Sequence, residues 1–436
     1  MAERFIRKRV RRFGPLAVSP LFVLVALFFG FSFVFGSVSE VPLLVVFLCV
    51  AIYSLAITRG LSVEKRILKF SEGAGNPSLI LMVWIFILAG AFASSAKDMG
   101  AVDACVNATI NLVPSNWILA GIFIASCFIS LSIGTSVGTI VAIVPVAAGL
   151  SVQSGIPLPL LVAVVVGGAF FGDNLSFISD TTIVATQTQG CDLKDKFKVN
   201  VLIVLPAAFL VLLIYLYMGY NQSIDLMDNL EVRYVLIIPY IAVLLLALSG
   251  VNVMLVLLIG CVMTGVTGGI AGTLDFMSWL RSMVCGVLGM GELIVVTMLA
   301  GGILELIKYN GGIAYLIKIL TRNVHGKKGA ELCIASLVSL TNLCTANNTI
   351  AILSVGKIAN TIAEKYGVDK RKSASLLDTF SCCMQGLMPY GAQVLIASSL
   401  ALVSPMEILP YLYYPFLIGV SATLAIIFRF PKCYSR

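Results

Sequence analysis

Charge is what this sequence has least of. Of 436 residues, 11% are Asp, Glu, Lys or Arg, where soluble domains carry about a quarter. Together with 59% hydrophobic residues and a mean hydropathy of +1.03, that excludes a water-facing globular fold. Histidine is reduced to one, His325, in a basic loop, so a histidine-built metal centre or proton relay is not expected. The eleven cysteines are scattered, mostly in apolar segments, without metal-ligand spacing. Cys382 and Cys383 are adjacent, which argues against a structural bridge, and buried free cysteine serves as a small hydrophobe. A cleavable leader is missing from the reading as well. The start, MAERFIRKRVRRF, is basic, but the apolar run behind it is too long and shows no clear A-x-A site, so it reads as a retained first span.

Long apolar runs are what the chain has instead. About 20 such residues cover the hydrocarbon core as a helix. Runs of roughly that length fall at 17–36, 41–58, 78–96, 199–218, 234–249, 251–270, 289–307 and 409–428. The fold class is therefore an all-α polytopic membrane protein. A net charge of +8 does not point to nucleic acid, because the basic residues sit between the runs, where cytoplasmic anchors belong.

The chain also repeats itself. LAGAFASSAKDMGAV (88–102) meets LAGGILELIKYNGGI (299–313) at an offset of 211, and SLSIGTSVGTIVAI (130–143) meets SLTNLCTANNTIAI (339–352) at 210. Loop charge sets orientation. The basic N-terminus, the loop 59–69, the stretch CDLKDKFK (191–198), the loop 308–330 and the tail RFPKCYSR read as cytoplasmic, and the connector 219–233 as external. The second half then starts outside, where the first starts inside. The expected organisation is a first inverted repeat over 1–218, an external connector over 219–233 and a second repeat over 234–436. Inverted repeats are common among secondary transporters.

Counting crossings refines each half. Residues 117–150 leave from outside and must return there, with GTSVGT at the turn; 331–356 do the same from inside, with TNLCTANNT at the turn. These read as re-entrant hairpins. After each comes a broken span, one containing GDNLSFISDTT and the other CCMQGLMPYGAQ, where Gly386, Pro389 and Gly391 interrupt a helix. Each half is then three spans, a hairpin, a broken span and a last span, about ten crossings plus two hairpins in all. The amphipathic stretches 100–113 and 311–321 suggest interfacial helices.

The stretch GGAFFGDNLSFISDTT (167–182) carries the chemistry. An aspartate at mid-bilayer costs at least about 2.5 kcal/mol. Asp173 and Asp180 double that, and Asn174, Ser176, Ser179, Thr181 and Thr182 add further polar groups. No lysine or arginine in the stretch answers them. Hard oxygen ligands suit an alkali cation, so Asp173 and Asp180 are expected to hold Na⁺. A carboxylate that binds Na⁺ also binds H⁺, and competition for one alternately exposed site gives antiport. The hairpin tips add Thr135, Ser136 and Thr139 on one side and Thr345, Asn347, Asn348 and Thr349 on the other. Asp378 is the only acid in the second broken span and is expected as a third carboxylate of the site. Glu305 reads as a scaffold residue, and Asp192 and Asp195 as solvated loop charges.

These residues resemble the NhaC family of sodium/proton antiporters, in the GTSVGT hairpin and in GGAFFGDNLSFISDTTIVATQTQGCDLKDKF. The resemblance implies inverted repeats, hairpins and an elevator-like motion. It carries over Gly134, Thr135, Gly138, Thr139, Gly172, Asp173, Ser176, Ser179, Asp180, Thr181 and Thr182 as site residues. Val137 stands where the family often has tryptophan, Asn174 and Leu175 replace a common His-Cys pair, and Phe177 replaces proline. Relatives also exchange organic acids, so the family sets the class better than the cargo.

The expected function is Na⁺/H⁺ antiport across the inner, plasma membrane, with both termini cytoplasmic, no enzyme activity and no cofactor beyond the transported ions. The alternative is Na⁺- or H⁺-coupled transport of a small organic acid or amino acid; the lack of arginine in either tip weakens it. An intramembrane aspartyl protease would need Asp173, Asp378 and a GxGD motif, and Phe170 stands where that glycine should be. Expected partners are Na⁺, H⁺ and the lipid bilayer, with no nucleic acid and, by analogy with elevator transporters, a second copy in a homodimer.

Overall fold

The computed structural model describes residues 14–35, 42–177, 179–221, 231–322 and 324–434. The basic start 1–13, Asp225 and Asp228 of the connector and the last two residues lie outside these, and so do the expectations placed on them.

Among the described residues all regular structure is helical. The first half runs α1 (Ser19–Phe35), α2 (Leu43–Ile57), α3 (Val63–Ala74), α4 (Pro77–Met99), α5 (Ala101–Leu112), α6 (Ile118–Ile133), α7 (Ser136–Ser154), α8 (Leu158–Leu175), α9 (Asp180–Gln189) and α10 (Leu193–Asn221). The second runs α11 (Ile238–Leu248), α12 (Val253–Ala271), α13 (Phe276–Gly289), α14 (Gly291–Tyr309), α15 (Gly312–Leu320), α16 (Gly326–Thr345), α17 (Asn348–Tyr366), α18 (Lys370–Leu387), α19 (Ala392–Ala401), α20 (Pro405–Ile408) and α21 (Tyr413–Ile427). Among the described residues seven segments are long and apolar enough to cross a bilayer, or eight if the pair bent by 106° after Ala401 is one span. Four more apolar helices are shorter, at 10–17 residues. They coincide with the runs at 17–36, 41–58, 234–249 and 409–428 and fall short of the roughly 20 residues that cover the core.

Most helices have a counterpart ten helices later. α7, α8 and α9 begin at 136, 158 and 180; α17, α18 and α19 begin at 348, 370 and 392, a constant shift of 212 with matching lengths of 19, 18 and 10 residues. Four pairs of left-handed backbone positions keep the same shift: Gly60 and Gly272, Gly134 and Ala346, Gly155 and Gly367, Gly190 and Leu402. A Cβ in that conformation costs roughly 1–2 kcal/mol. Ala346 and Leu402 adopt it where their counterparts are glycines, so the place in the helix-to-helix turn sets the backbone there. Even a side-chain bond is matched. Ser130 Oγ donates to Ala169 O at 2.6 Å and Asn342 Nδ2 to Ser381 O at 2.7 Å, tying α6 to α8 and α16 to α18.

The halves grip each other reciprocally. α3 packs on α14, and α13 packs on α4. A Cβ at Gly73 would stand 2.4 Å from the Gly301 oxygen, and one at Gly301 2.7 Å from the Gly73 oxygen. At the other crossing, Gly90 and Gly286 meet in the same way, at 2.4 and 2.1 Å. Small residues let backbones approach this closely in membrane helix packing. Lys69, paired with Glu72 and, at 3.1 Å, with Glu305, fastens the first crossing. Hydrogen bonds from Lys69 to Glu72 and then to Glu305 hold its ammonium above the ordinary lysine pKa. Ser282 Oγ, donating to Asp98 Oδ2 at 2.5 Å, fastens the second.

α3 starts within the basic loop 59–69 and runs beyond it, and α13 lies outside the long apolar runs of the sequence. Both are amphipathic, and both start on caps: Ser62 accepts from the Lys65 amide at 3.4 Å and Asp275 from the Ser278 amide at 3.1 Å. A second exchange positions the site. α7 packs on α19, and α17 packs on α9. The outgoing arm of each helical hairpin thus leans on the outgoing segment of the other half's broken helix pair.

Candidate ion-binding site

Four interruptions of helix meet in one place. Two are the hairpin tips, Gly134–Thr135 and Ala346–Asn347; two are the breaks between α8 and α9 and between α18 and α19. They surround a cavity of about 230 Å³, closed on one side by Leu81, Met82, Ile85 and Phe86 of α4. Thr135, Ser136, Asp173, Ser179, Asp180, Thr181, Asn347, Asn348 and Thr349 line it, as expected from the sequence, and Gln393 joins them.

Local capping explains why Asp173 sits where it does. The first amides of a helix lack internal partners. At α17 the Asn347 side chain answers them, accepting from the Ile350 amide at 2.9 Å. At α7 the cap residue Thr135 makes no such bond. The buried Asp173 carboxylate does so instead, accepting from the Ser136 amide at 2.9 Å and the Ser136 hydroxyl at 2.5 Å. The positive end of a 19-residue helix therefore faces this carboxylate. Asp180, the first residue of α9, is exposed and opens onto the cavity.

The amides form a chain. Gln393 Nε2 donates to Ser136 Oγ at 3.1 Å, and Gln385 Nε2 to Gln393 Oε1 and to Ala346 O, each at 3.0 Å. At the repeat shift of 212 (173 to 385), Gln385 is the counterpart of Asp173. The second half thus places a neutral amide where the first places a charge. Neither glutamine was singled out from the sequence. An amide in a weakly polar helix gives no charge signal, and its repeat position was the clue.

Other expected residues stand behind the cavity rather than on it. Thr182 is one; with Thr181 of the lining it donates to Asp173 O, each at 3.3 Å, which satisfies a carbonyl freed by the break. Thr139 bonds Thr135 O at 3.2 Å, and Thr345 bonds Asn347 O at 2.9 Å, so each shapes its own tip. Asn174 turns back to Phe170 O at 2.9 Å, and Ser176 is buried at the end of α8.

Asp378 departs from its expected role. It does not line the cavity. It is paired with Lys196 at 2.5 Å, with side-chain exposures of 0% and 1%. By loop charge Lys196 belongs with Lys194 and Lys198 in the cytoplasmic stretch 191–198. α10 begins at Leu193, earlier than the run 199–218, and carries Lys196 inward. Asn200, one turn on, donates to Asn174 O at 2.6 Å and accepts from Ser375 at 2.7 Å and Thr379 at 2.9 Å. Lys196 and Asn200 at i and i+4 form a polar stripe on an apolar helix, and that spacing was the available signal. A protease pair would need Asp173 and Asp378 on one cavity; among the described residues that line the cavity, Asp173 is present and Asp378 is not.

Comparison with known proteins gives the family. The model of the Na⁺/H⁺ antiporter family matches residues 15–220 and 229–431. The chain is 24% identical to the Na⁺/H⁺ antiporter NhaC of Bacillus subtilis over 85% of its own length and 87% of that protein. It is 22% identical to NhaC of Alkalihalophilus pseudofirmus, over 94% and 93%. It is also 22% identical to a malate-2H⁺/Na⁺-lactate antiporter of B. subtilis, over 80% of each. The chain is a multi-pass membrane protein that belongs to the Na⁺/H⁺ antiporter family, among the NhaC antiporters.

Proposed function

We propose that the chain exchanges Na⁺ for H⁺ at the cavity between the two hairpin tips, by alternating access. The observation that carries this reading is the sign of the lining. Its charged side chains among the described residues are Asp173 and Asp180, both acidic, surrounded by hydroxyl, amide and carbonyl oxygens. Such oxygens bind a small hard cation. A proton on Asp173 and a sodium ion beside it are mutually exclusive ways of neutralising one carboxylate, and that exclusion is the coupling.

The constant shift of 212 residues and the reciprocal crossings support two repeats, 1–218 and 234–436 around the connector; the charge of the loops supports their inverted orientation and cytoplasmic termini. The hairpins and broken helices then move as one body against α3, α4, α13 and α14, an elevator-like cycle in the cell membrane. A homodimer would give that scaffold a fixed anchor.

The test is reconstitution in liposomes with a trapped pH dye, adding Na⁺, Li⁺, K⁺ or a small carboxylate such as malate or lactate. Proton movement driven by Na⁺ alone is expected. Movement that requires the carboxylate would instead assign organic-acid exchange, as in the malate/lactate relative. In the same assay Asp180→Asn is expected to raise the half-saturating Na⁺ concentration about tenfold, from the loss of one charge at an ion-binding cavity. An unchanged half-saturation would make Asp180 a structural helix-start residue.

A further inference from the structure

The Lys196 ammonium sits in surroundings of an unusual kind for a lysine. Its Nζ donates to three oxygens on three elements: the Asn174 carbonyl at the end of α8 (2.8 Å), the Thr182 hydroxyl of α9 (2.8 Å) and the Asp378 carboxylate of α18 (2.5 Å). A carbonyl freed by a helix break, a hydroxyl and a carboxylate are the ligand types that hold an alkali ion. Both charges of the pair are removed from water. Burying an ion pair is commonly no more stabilising than apolar packing, so stability alone gives little reason for it.

We propose that this is a second cation site whose occupant is built into the chain, the Lys196 ammonium standing where a mobile sodium ion would otherwise bind. The arrangement has a consequence for coupling. Asn174 O belongs to the residue after Asp173, and Thr182 bonds both Lys196 and Asp173 O. The tethered cation therefore fixes the helix break that presents Asp173 and Asp180, while leaving them the only acids at the exchange cavity among its described lining. Lys196 is thus a positioning residue, and its fixed charge sets how many sodium ions the protein takes up. The inference rests on the sodium reading for the identity of the ion.

The test is sodium binding to purified protein, counted by calorimetry and by radioactive sodium, in the parent and in Lys196→Met. Methionine keeps the length of the side chain and removes the charge. Lys196→Met is expected to bind one more sodium ion per chain than the parent, and its thermal unfolding is expected to rise more steeply with sodium concentration. The double variant Lys196→Met/Asp378→Asn removes the carboxylate too and is expected to return to the parental count. A folded Lys196→Met with the parental count overturns the proposal. So does a Lys196→Met that cannot be recovered folded at any sodium concentration, because the cage then does not accept the ion. A parent that binds no sodium at all overturns the sodium reading itself, which separates the two failures.

Discussion

Asp173→Asn is expected to bring sodium-driven proton movement in liposomes down to the level of empty vesicles, with the protein still expressed and folded. The amide oxygen can accept the Ser136 amide bond that the carboxylate accepts at 2.9 Å, so the tip of α7 keeps a cap. What is lost is the group on which the two ions compete. A neutral side chain at this depth removes at least about 2.5 kcal/mol of burial cost for a charge, so the variant gains nothing by binding a cation. Turnover at the parental rate in Asp173→Asn would refute the site. Sodium binding that persists without proton movement would place the proton on another group.

Gly172→Val is expected to be the most damaging change to stability near the site. An added Cβ at Gly172 would stand 2.2 Å from Ser130 Oγ and 2.4 Å from the Ser130 backbone carbonyl carbon. The hydroxyl can rotate, but the backbone of α6 cannot retreat without breaking the Ser130–Ala169 bond. Overpacking typically costs about 1–3 kcal/mol, and a clash with backbone belongs at the upper end. The control is Gly269→Ala on α12, where nothing lies within 4 Å of the added atom and alanine is the better helix former. Thermal unfolding in detergent should show a large fall for the first and no fall for the second. Equal midpoints would mean that α6 and α8 are not held as closely as the structure has them. The position also explains the Gly172-Asp173 pairing in the sequence: the small residue lets α8 approach α6, and the next residue is thereby delivered to the tip of α7.

Much of this was legible in the residues because lipid makes polarity expensive. Asp173, Asp180 and their hydroxyl neighbours stood out against apolar flanks, and the structure brings Asp173, Ser179, Asp180 and Thr181 together with both tips. The repeat was visible as collinear matches at 210 and 211, close to the 212 that the helices keep. Lys196 was misplaced for a definite reason. Loop charge orients a membrane protein by counting lysines near helix ends, and the count does not say which lysine turns inward. α3 and α13 were missed because amphipathic helices lack the long apolar run that marks a span. Gln385 and Gln393 were missed because neutral amides cost little to bury once paired, so composition does not flag them.

The glycine crossings bear on how the two halves came to stay together. In each, a backbone of one half lies in the groove of the other, and the same two surfaces meet twice with their roles exchanged, the logic of a two-fold dimer. Neither half brings its own complement. Covalent joining through the connector raises the local abundance of one partner around the other, by an amount on the order of millimolar for modules on short linkers. A chain nicked within it would keep both handshakes, and two separate polypeptides made in one membrane would have every surface needed to find each other.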